Sequence, residues 1–145
     1  MLRPVDGRCA GHGGVSTRRV GGGCHCGAVA YVAEIDLAAP TIRCNCSICL
    51  KSRGWIAPIP ATAFRLIRGA EHLARYSFAG GDVVHRFCPT CGVKTHGEIA
   101  GPGGWIAVCV ATLDLAEEDL ARIPVSFADG RADMPERAPE VASYL

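Results

Sequence analysis

From Gly27 onward, apolar and polar positions alternate in short runs broken by turn residues, the pattern of antiparallel strands with one buried face and not of long helices. Seven segments carry it: Ala28–Ile35, Thr41–Cys46, Trp55–Ile59, His72–Phe78, Asp82–Phe87, Val93–Ile99 and Trp105–Leu113. Turn chemistry separates them, most clearly at Ala39-Pro40, Gly80-Gly81-Asp82 and Gly101-Pro102-Gly103-Gly104. One short helix is expected near the C-terminus, over Ala116–Arg122, with Asp114 as its N-cap and Glu117, Glu118 and Asp119 at the positive end of its dipole. Pro124, Pro135 and Pro139 keep the end of the chain irregular. The first twenty residues, rich in Gly and Arg and without apolar periodicity, read as a flexible leader that carries Cys9 and His12. The expected organisation is a leader over 1–20, one mostly-β domain over 21–130 and an irregular tail over 131–145.

Composition narrows the class. At 145 residues and 49% hydrophobic content the chain can bury one sizeable core and is too short for two ordinary domains. A formal net charge of +1 gives no general basic field for nucleic acid. Arg3, Arg8, Arg18 and Arg19 could neutralise phosphates, but no basic stripe with interleaved aromatics accompanies them, so nucleic acid is not an expected partner. No apolar run reaches the roughly 18 residues needed to span a bilayer, and the opening MLRPVDGRCAGHGG lacks the apolar core of a signal peptide. A soluble, cytoplasmic protein without a membrane partner is expected. In that reducing compartment an odd set of nine cysteines points to metal ligands and not to a disulfide scaffold.

Seven of the nine fall in three clusters: Cys24 and Cys26 in CHC, Cys44, Cys46 and Cys49 in CNCSIC, and Cys88 and Cys91 in CPTC. Two closed tetrahedral zinc sites need eight protein ligands; one closed site and one open site need seven. Cys88-Pro-Thr-Cys91-Gly92 has the form of a zinc knuckle, in which Gly92 can take the positive φ that turns backbone amides toward the sulfurs. Cys24 and Cys26, two apart in extended chain, share a face and donate as a unit. Joined, the two pairs make a four-thiolate structural site that clips distant parts of the chain together. Cys44, Cys46 and Cys49 then form a tripod on one short segment, with one tetrahedral face left for water or an incoming thiol. A sulfur bound there would favour the nucleophilic thiolate. Spacing leaves two alternatives open. Cys44 and Cys46 could instead join Cys88 and Cys91, or an eighth ligand from Cys109, His25, His85, His96 or Cys9 could close the second site. Cys109, within the apolar run Trp105-Ile-Ala-Val-Cys-Val, reads more simply as a buried inert thiol.

Together these residues resemble the glutathione-dependent formaldehyde-activating (GFA) family, also called the centromere protein V family. The resemblance runs through Gly22-Gly23-Cys24-His25-Cys26-Gly27-Ala28-Val29, Cys44-Asn45-Cys46-Ser47-Ile48-Cys49 and His85-Arg86-Phe87-Cys88-Pro89-Thr90-Cys91-Gly92. It ends in Ala111-Thr112-Leu113-Asp114 and Phe127-Ala128-Asp129-Gly130, and so covers about residues 20 to 130. It implies a zinc-stabilised, β-tent-like fold of antiparallel sheets. It also implies two zinc ions, a structural one on Cys24, Cys26, Cys88 and Cys91 and a second on Cys44, Cys46 and Cys49, the latter open to partial occupancy. The implied activity is that of a carbon–sulfur lyase, with glutathione and formaldehyde on one side and S-(hydroxymethyl)glutathione on the other. Glutathione is anionic, so Arg43, Lys51 and Arg53 beside the tripod are candidate clamps for its carboxylates. Trp55 is placed to line the same cleft or merely to pack. The competing expectation is a non-catalytic, zinc-stabilised binding module, marked by a second zinc ligated fully by protein and indifferent to added thiols.

Overall fold

The computed structural model describes residues 17–145. Ten strands form two sheets. β1 (Thr17–Gly23), β2 (Ala30–Asp36) and β5 (Phe64–Arg68) make a three-stranded antiparallel sheet in the order β1-β2-β5. The larger sheet uses β3 (Thr41–Cys44), β4 (Trp55–Pro60), β6 (Ala74–Tyr76), β7 (Val83–Phe87), β8 (Lys94–Ile99), β9 (Trp105–Cys109) and β10 (Val125–Ala128). Its order is β10-β3-β4-β9-β8-β7-β6. Every pairing is antiparallel except that of β10 with β3, which is parallel and returns the end of the chain to the segment before the tripod. The fold is mostly β, without a closed barrel.

The sheets face one another across the core. Val20, Tyr31, Ala33 and Ile35 come from the small sheet, while Ala57, Ile59, Ile106 and Val108 come from the large one. The register explains the match, because Ala57 pairs with Val108 and Ile59 with Ile106, so these side chains share one face. Val108 and Val110 are fully buried, and each such side chain contributes about 1.5–3 kcal/mol relative to exposure. The opposite face of the large sheet carries Ile56, Val83, His85, Gly97, Ile99 and Ala107, and there the cleft described below is found.

Several elements differ from the sequence expectation. β1 begins at Thr17, inside the Gly- and Arg-rich stretch; residues 1–16, including Cys9 and His12, lie outside the described residues. Its strand character comes from seven consecutive pairings with β2 and not from apolar periodicity. Glycine is required at Gly22, where a Cβ would collide with the ring of Tyr31 and the carbonyl of Thr112. β5 and β10 carry too few buried positions to stand out in sequence. The extended run at Thr41 stops at Cys44, and a short helix, α1 (Ser47–Ser52), follows directly. The run at Trp105 ends at Cys109 and turns into a 3-10 segment over Val110–Thr112. The C-terminal helix, α2 (Glu117–Arg122), has Ala116 and not Asp114 at its N-cap, with no side-chain cap. The backbone N–H of Asp114 is instead committed to the carbonyl of Gly21 at 2.8 Å.

Candidate metal centre and cleft

The four sulfurs of Cys24, Cys26, Cys88 and Cys91 lie within 4.8 Å of one another, and so do the three of Cys44, Cys46 and Cys49. The structure therefore divides the cysteines as four and three. The partition that would join Cys44 and Cys46 to Cys88 and Cys91 is not formed. Cys109, His25, His85 and His96 stay out of both groups. Cys109 is buried, and burial raises its thiol pKa, as suits an inert packing residue. None of the eight described cysteines is in a disulfide.

The four-thiol group is built from two loops. The β1–β2 loop supplies Cys24 and Cys26, and the β7–β8 loop supplies Cys88 and Cys91, so the group bridges the small sheet to the large one. Each loop closes at a glycine of positive φ, Gly27 (φ 80) and Gly92 (φ 76), a conformation that side chains resist. The backbone N–H of Val29 donates to Cys24 Sγ at 3.3 Å, and Arg68 donates twice to the Gly27 carbonyl, at 3.0 and 2.8 Å. Cys26 Sγ lies 3.6 Å from both Cys24 Sγ and Cys88 Sγ. A tetrahedron with zinc–sulfur bonds of about 2.3 Å has edges of about 3.8 Å, so the spacing fits a zinc-sized ion. Backbone N–H groups of Cys26 and Val93 bring the Cys91 thiol down to about 6. The Ala28 N–H pulls the Cys26 thiol down, but desolvation and the three neighbouring sulfurs outweigh it and raise the thiol to about 11. Packed thiols that cannot all ionise alone become a ligand set once a cation neutralises them.

The three-thiol group sits where β3 runs into α1. Cys44 ends β3, Cys46 is the N-cap of α1 and Cys49 lies in its first turn. The N–H of Cys46 donates to Cys44 Sγ at 3.3 Å. Neighbouring thiols Cys44 and Cys49, with the N–H groups at the start of α1, hold Cys46 far below the usual thiol range. Cys44 and Cys49 are pushed up, because a second thiolate would lie against the first. The segment is tied to the end of the chain: buried Asn45 donates to Asp129 at 2.8 Å and accepts the N–H of Arg131 at 2.8 Å. That bond, aided by Arg137, keeps the Asp129 carboxyl below the ordinary carboxylate range. Gly130 lies against the sulfurs, and a Cβ there would stand 2.6 Å from Cys44 Sγ and 2.9 Å from Cys46 Cβ.

Cys44, Cys46 and Cys49 open into a cleft of about 230 Å³. Its floor is the outer face of the large sheet, with Gly97, Ile99 and Ala107; Phe78 and Ala79 from the β6–β7 hairpin stand on one side, and Gly130, Asp133 and Pro135 on another. Lys94 and His85 add polar groups. His85 is 7% exposed and its Nδ1 has no hydrogen-bond partner among the described residues, a condition that costs about 1–3 kcal/mol when nothing fills it. Burial lowers its pKa.

The candidate clamps lie elsewhere. Arg43, Lys51, Arg53 and Trp55 do not line this cleft. Arg43 precedes Cys44 in a strand, so the two side chains point to opposite faces. Its register partner is Trp55, whose ring it covers at 4.9 Å, and Trp55 packs against the core and donates to Thr41 Oγ1 at 2.7 Å. Arg53, in the left-handed region at the end of α1, donates to the carbonyl of Tyr144 at 2.7 Å, and Lys51 is exposed on the last turn of α1. Arg43 and Arg53 border a separate small pocket behind Cys44 and Cys49. The sequence offers His85 only as a possible eighth metal ligand and gives no site role to Lys94, Phe78 or Gly97. Their signal is the period-two register of β7 and β8, which becomes usable only once the cleft face is known.

Two facing sheets joined by one cysteine cluster, with a second cluster opening on a cleft, define a small β protein with two cysteine groups that could hold metal ions. The family model described as glutathione-dependent formaldehyde-activating enzyme matches residues 19–126, and the chain belongs to that family. It is also similar to a protein of Rhodobacter sphaeroides seen in a crystal structure, with 35% identity and a TM-score of 0.64 over 73% of this chain and 99% of the other.

Proposed function

We propose that the protein is a zinc-dependent carbon–sulfur lyase acting on thiol–aldehyde adducts, with glutathione and formaldehyde as its thiol and aldehyde and S-(hydroxymethyl)glutathione as the adduct. In this reading Cys24, Cys26, Cys88 and Cys91 hold a structural ion, and Cys44, Cys46 and Cys49 hold the ion at which chemistry occurs. The observation that carries it is the three-sulfur group opening into an apolar-floored cleft, with no fourth His, Cys, Asp or Glu ligand atom within 4.8 Å of all three sulfurs among the described residues. Zinc held by Cys44, Cys46 and Cys49 would favour a nearby substrate sulfur as the thiolate.

The chain's own residues do the rest. The small cleft, below the roughly 300–1,000 Å³ usual for pockets that bury a drug-sized ligand, takes the thiol arm and a small carbonyl and leaves the peptide ends outside. Phe78, Ile99 and Ala107 exclude water around the reacting carbon. Lys94 offers a cation to a carboxylate of the thiol substrate. In the forward direction the thiol gives up its proton, a sulfur–carbon bond forms, and the carbonyl oxygen gains a proton; nothing is oxidised or reduced. Holding both partners together provides most of the acceleration. Among the described residues no helix is long and apolar enough to cross a membrane, and free thiols suit the reducing cytoplasm.

The test is kinetic. Zinc-loaded protein mixed with glutathione and formaldehyde should form adduct faster than the spontaneous reaction, and Cys49→Ser should lose the excess while keeping a cooperative thermal transition. Equal rates with and without the wild-type protein would sink the substrate assignment. A second zinc that stays fully protein-ligated and unresponsive to thiols would favour a binding module.

A further inference from the structure

Two histidines are buried on the large sheet, and they are treated differently. His96, on the core face of β8, has Nδ1 against Thr95 Oγ1 at 2.9 Å, Nε2 facing Glu98 at 3.9 Å and its ring on Phe64 at 4.5 Å. His85, on the cleft face of β7, has an orphaned Nδ1. Its ring is held in place: Phe78 stacks on it at 5.9 Å and 15°, and Tyr76 at 6.3 Å and 29°. Its register partner across β8 is Gly97. Glycine inside a central strand packs nothing, and it commonly marks a place where a ligand or another chain comes close. A Cβ at Gly97 would stand 3.9 Å from His85 Nδ1, so the absent side chain leaves space beside the unpartnered nitrogen, on the floor of the cleft that holds the three sulfurs.

We propose that His85 and Gly97 form an oxygen subsite, in which the ring N–H of His85 hydrogen-bonds the carbonyl oxygen of the aldehyde above the bare backbone of Gly97. The inference rests on the lyase reading above and adds to it the residue that receives the aldehyde. As sulfur attacks the carbonyl carbon, the π pair moves onto oxygen and becomes the O–H bond of the hydroxymethyl group. A donor fixed at that oxygen strengthens its bond as the charge grows, so it favours the transition state over the free aldehyde. In the reverse direction the same group holds the hydroxyl oxygen while the carbon–sulfur bond breaks. His85 is thus a catalytic residue that touches the reacting oxygen and makes no bond to metal. The stacked rings of Tyr76 and Phe78 fix its plane, so little ordering remains to be done on binding.

Two measurements on the zinc-loaded protein test this. In kinetics, His85→Phe keeps a ring for the stack and removes both nitrogens. It should lower kcat/KM for formaldehyde by about tenfold or more, with the KM for glutathione within about twofold and zinc content unchanged. His85→Asn, which returns an amide N–H near the position of Nδ1, should recover part of the loss, and Gly97→Ala, which fills the space beside Nδ1, should mimic it. In ring-nitrogen NMR of the unmutated protein, the Nδ1 signal of His85 should move with glutathione plus formaldehyde and stay in place with glutathione alone. Unchanged formaldehyde kinetics in His85→Phe, or an Nδ1 signal equally moved by glutathione alone, would overturn the subsite and leave the lyase reading intact. No acceleration by the wild type, with no cleft signal moved by either addition, would overturn the lyase reading and the subsite together.

Discussion

The two cysteine clusters employ the same ligand atom within one small fold and differ in what surrounds it. In the four-thiol group both loops turn their backbone N–H groups inward, Arg68 braces the Gly27 carbonyl, and the two sheets meet at the sulfurs. None of its four cysteines lines the cleft. In the three-thiol group the ligands come from one stretch of six residues, a glycine stands where a side chain would cover the sulfurs, and the free side faces a cavity. An ion in the first group would hold distant strands together; an ion in the second would be held by one segment where something else can reach it. Number of ligands alone would not make this distinction, since a fourth ligand from a distant loop could have closed the second group.

Substitution of a cluster ligand should separate the two most sharply. Structural zinc contributes on the order of 10–16 kcal/mol in small domains, so Cys88→Ser should abolish cooperative unfolding, whereas Cys49→Ser should keep it. Calorimetry with metal analysis on both variants checks this, and similar losses in both would break the comparison. Acid gives the next largest effect. Both clusters release metal as their thiols protonate, but His96 adds a loss that belongs to neither. Burial lowers its pKa from 6.5 to about 4, so the unfolded chain binds the extra proton between those values and stability falls as pH drops through that window. By about 1.4 kcal/mol per unit this reaches about 3 kcal/mol at pH 4. Denaturant titrations from pH 7 to 4 should show that slope in the wild type and a flatter one in His96→Phe; equal slopes would remove His96 from the account. The smallest effect should come from Gly130→Val. A side chain pressed on Cys44 and Cys46 should weaken metal binding at the second group by about ten- to a hundredfold and leave the first unchanged. Competition with a chelator would reveal an equal effect at both, if the groups are not independent.

Much of this was legible in the sequence because metal ligands must be close and their spacing is local. The CHC, CNCSIC and CPTC runs declare which sulfurs can act together, and the four-and-three division found in the structure is the one that spacing favoured. Six of the seven strand segments of the sequence expectation appear with ends moved by a few residues, and the seventh, at His72, shrinks to Ala74–Tyr76. What escaped was decided by tertiary pairing. Thr17–Gly23 has almost no apolar pattern and becomes a strand through β2, and Val125–Ala128 becomes one through its parallel contact with β3. Arg43 and Trp55 were placed by nearness in sequence to Cys44, yet one step along a strand reverses the face: neither lines the cleft, Trp55 packs against the core, and Arg43 covers its ring and borders the small pocket with Cys44 and Cys49. His85 was visible all along as a lone histidine, but only the opposing glycine of another strand distinguishes it from His96.

The bond between Asn45 and Asp129 also orders events during synthesis. Its partners are 84 positions apart, and β10, which pairs with β3, follows β9 in the chain. A chain that has emerged through Gly92 already has all four ligands of the sheet-joining cluster. The same chain carries Cys44, Cys46 and Cys49 without the segment that seats them. The ligands of the sheet-joining cluster are therefore all present in the growing chain before the seat of the second trio has been made.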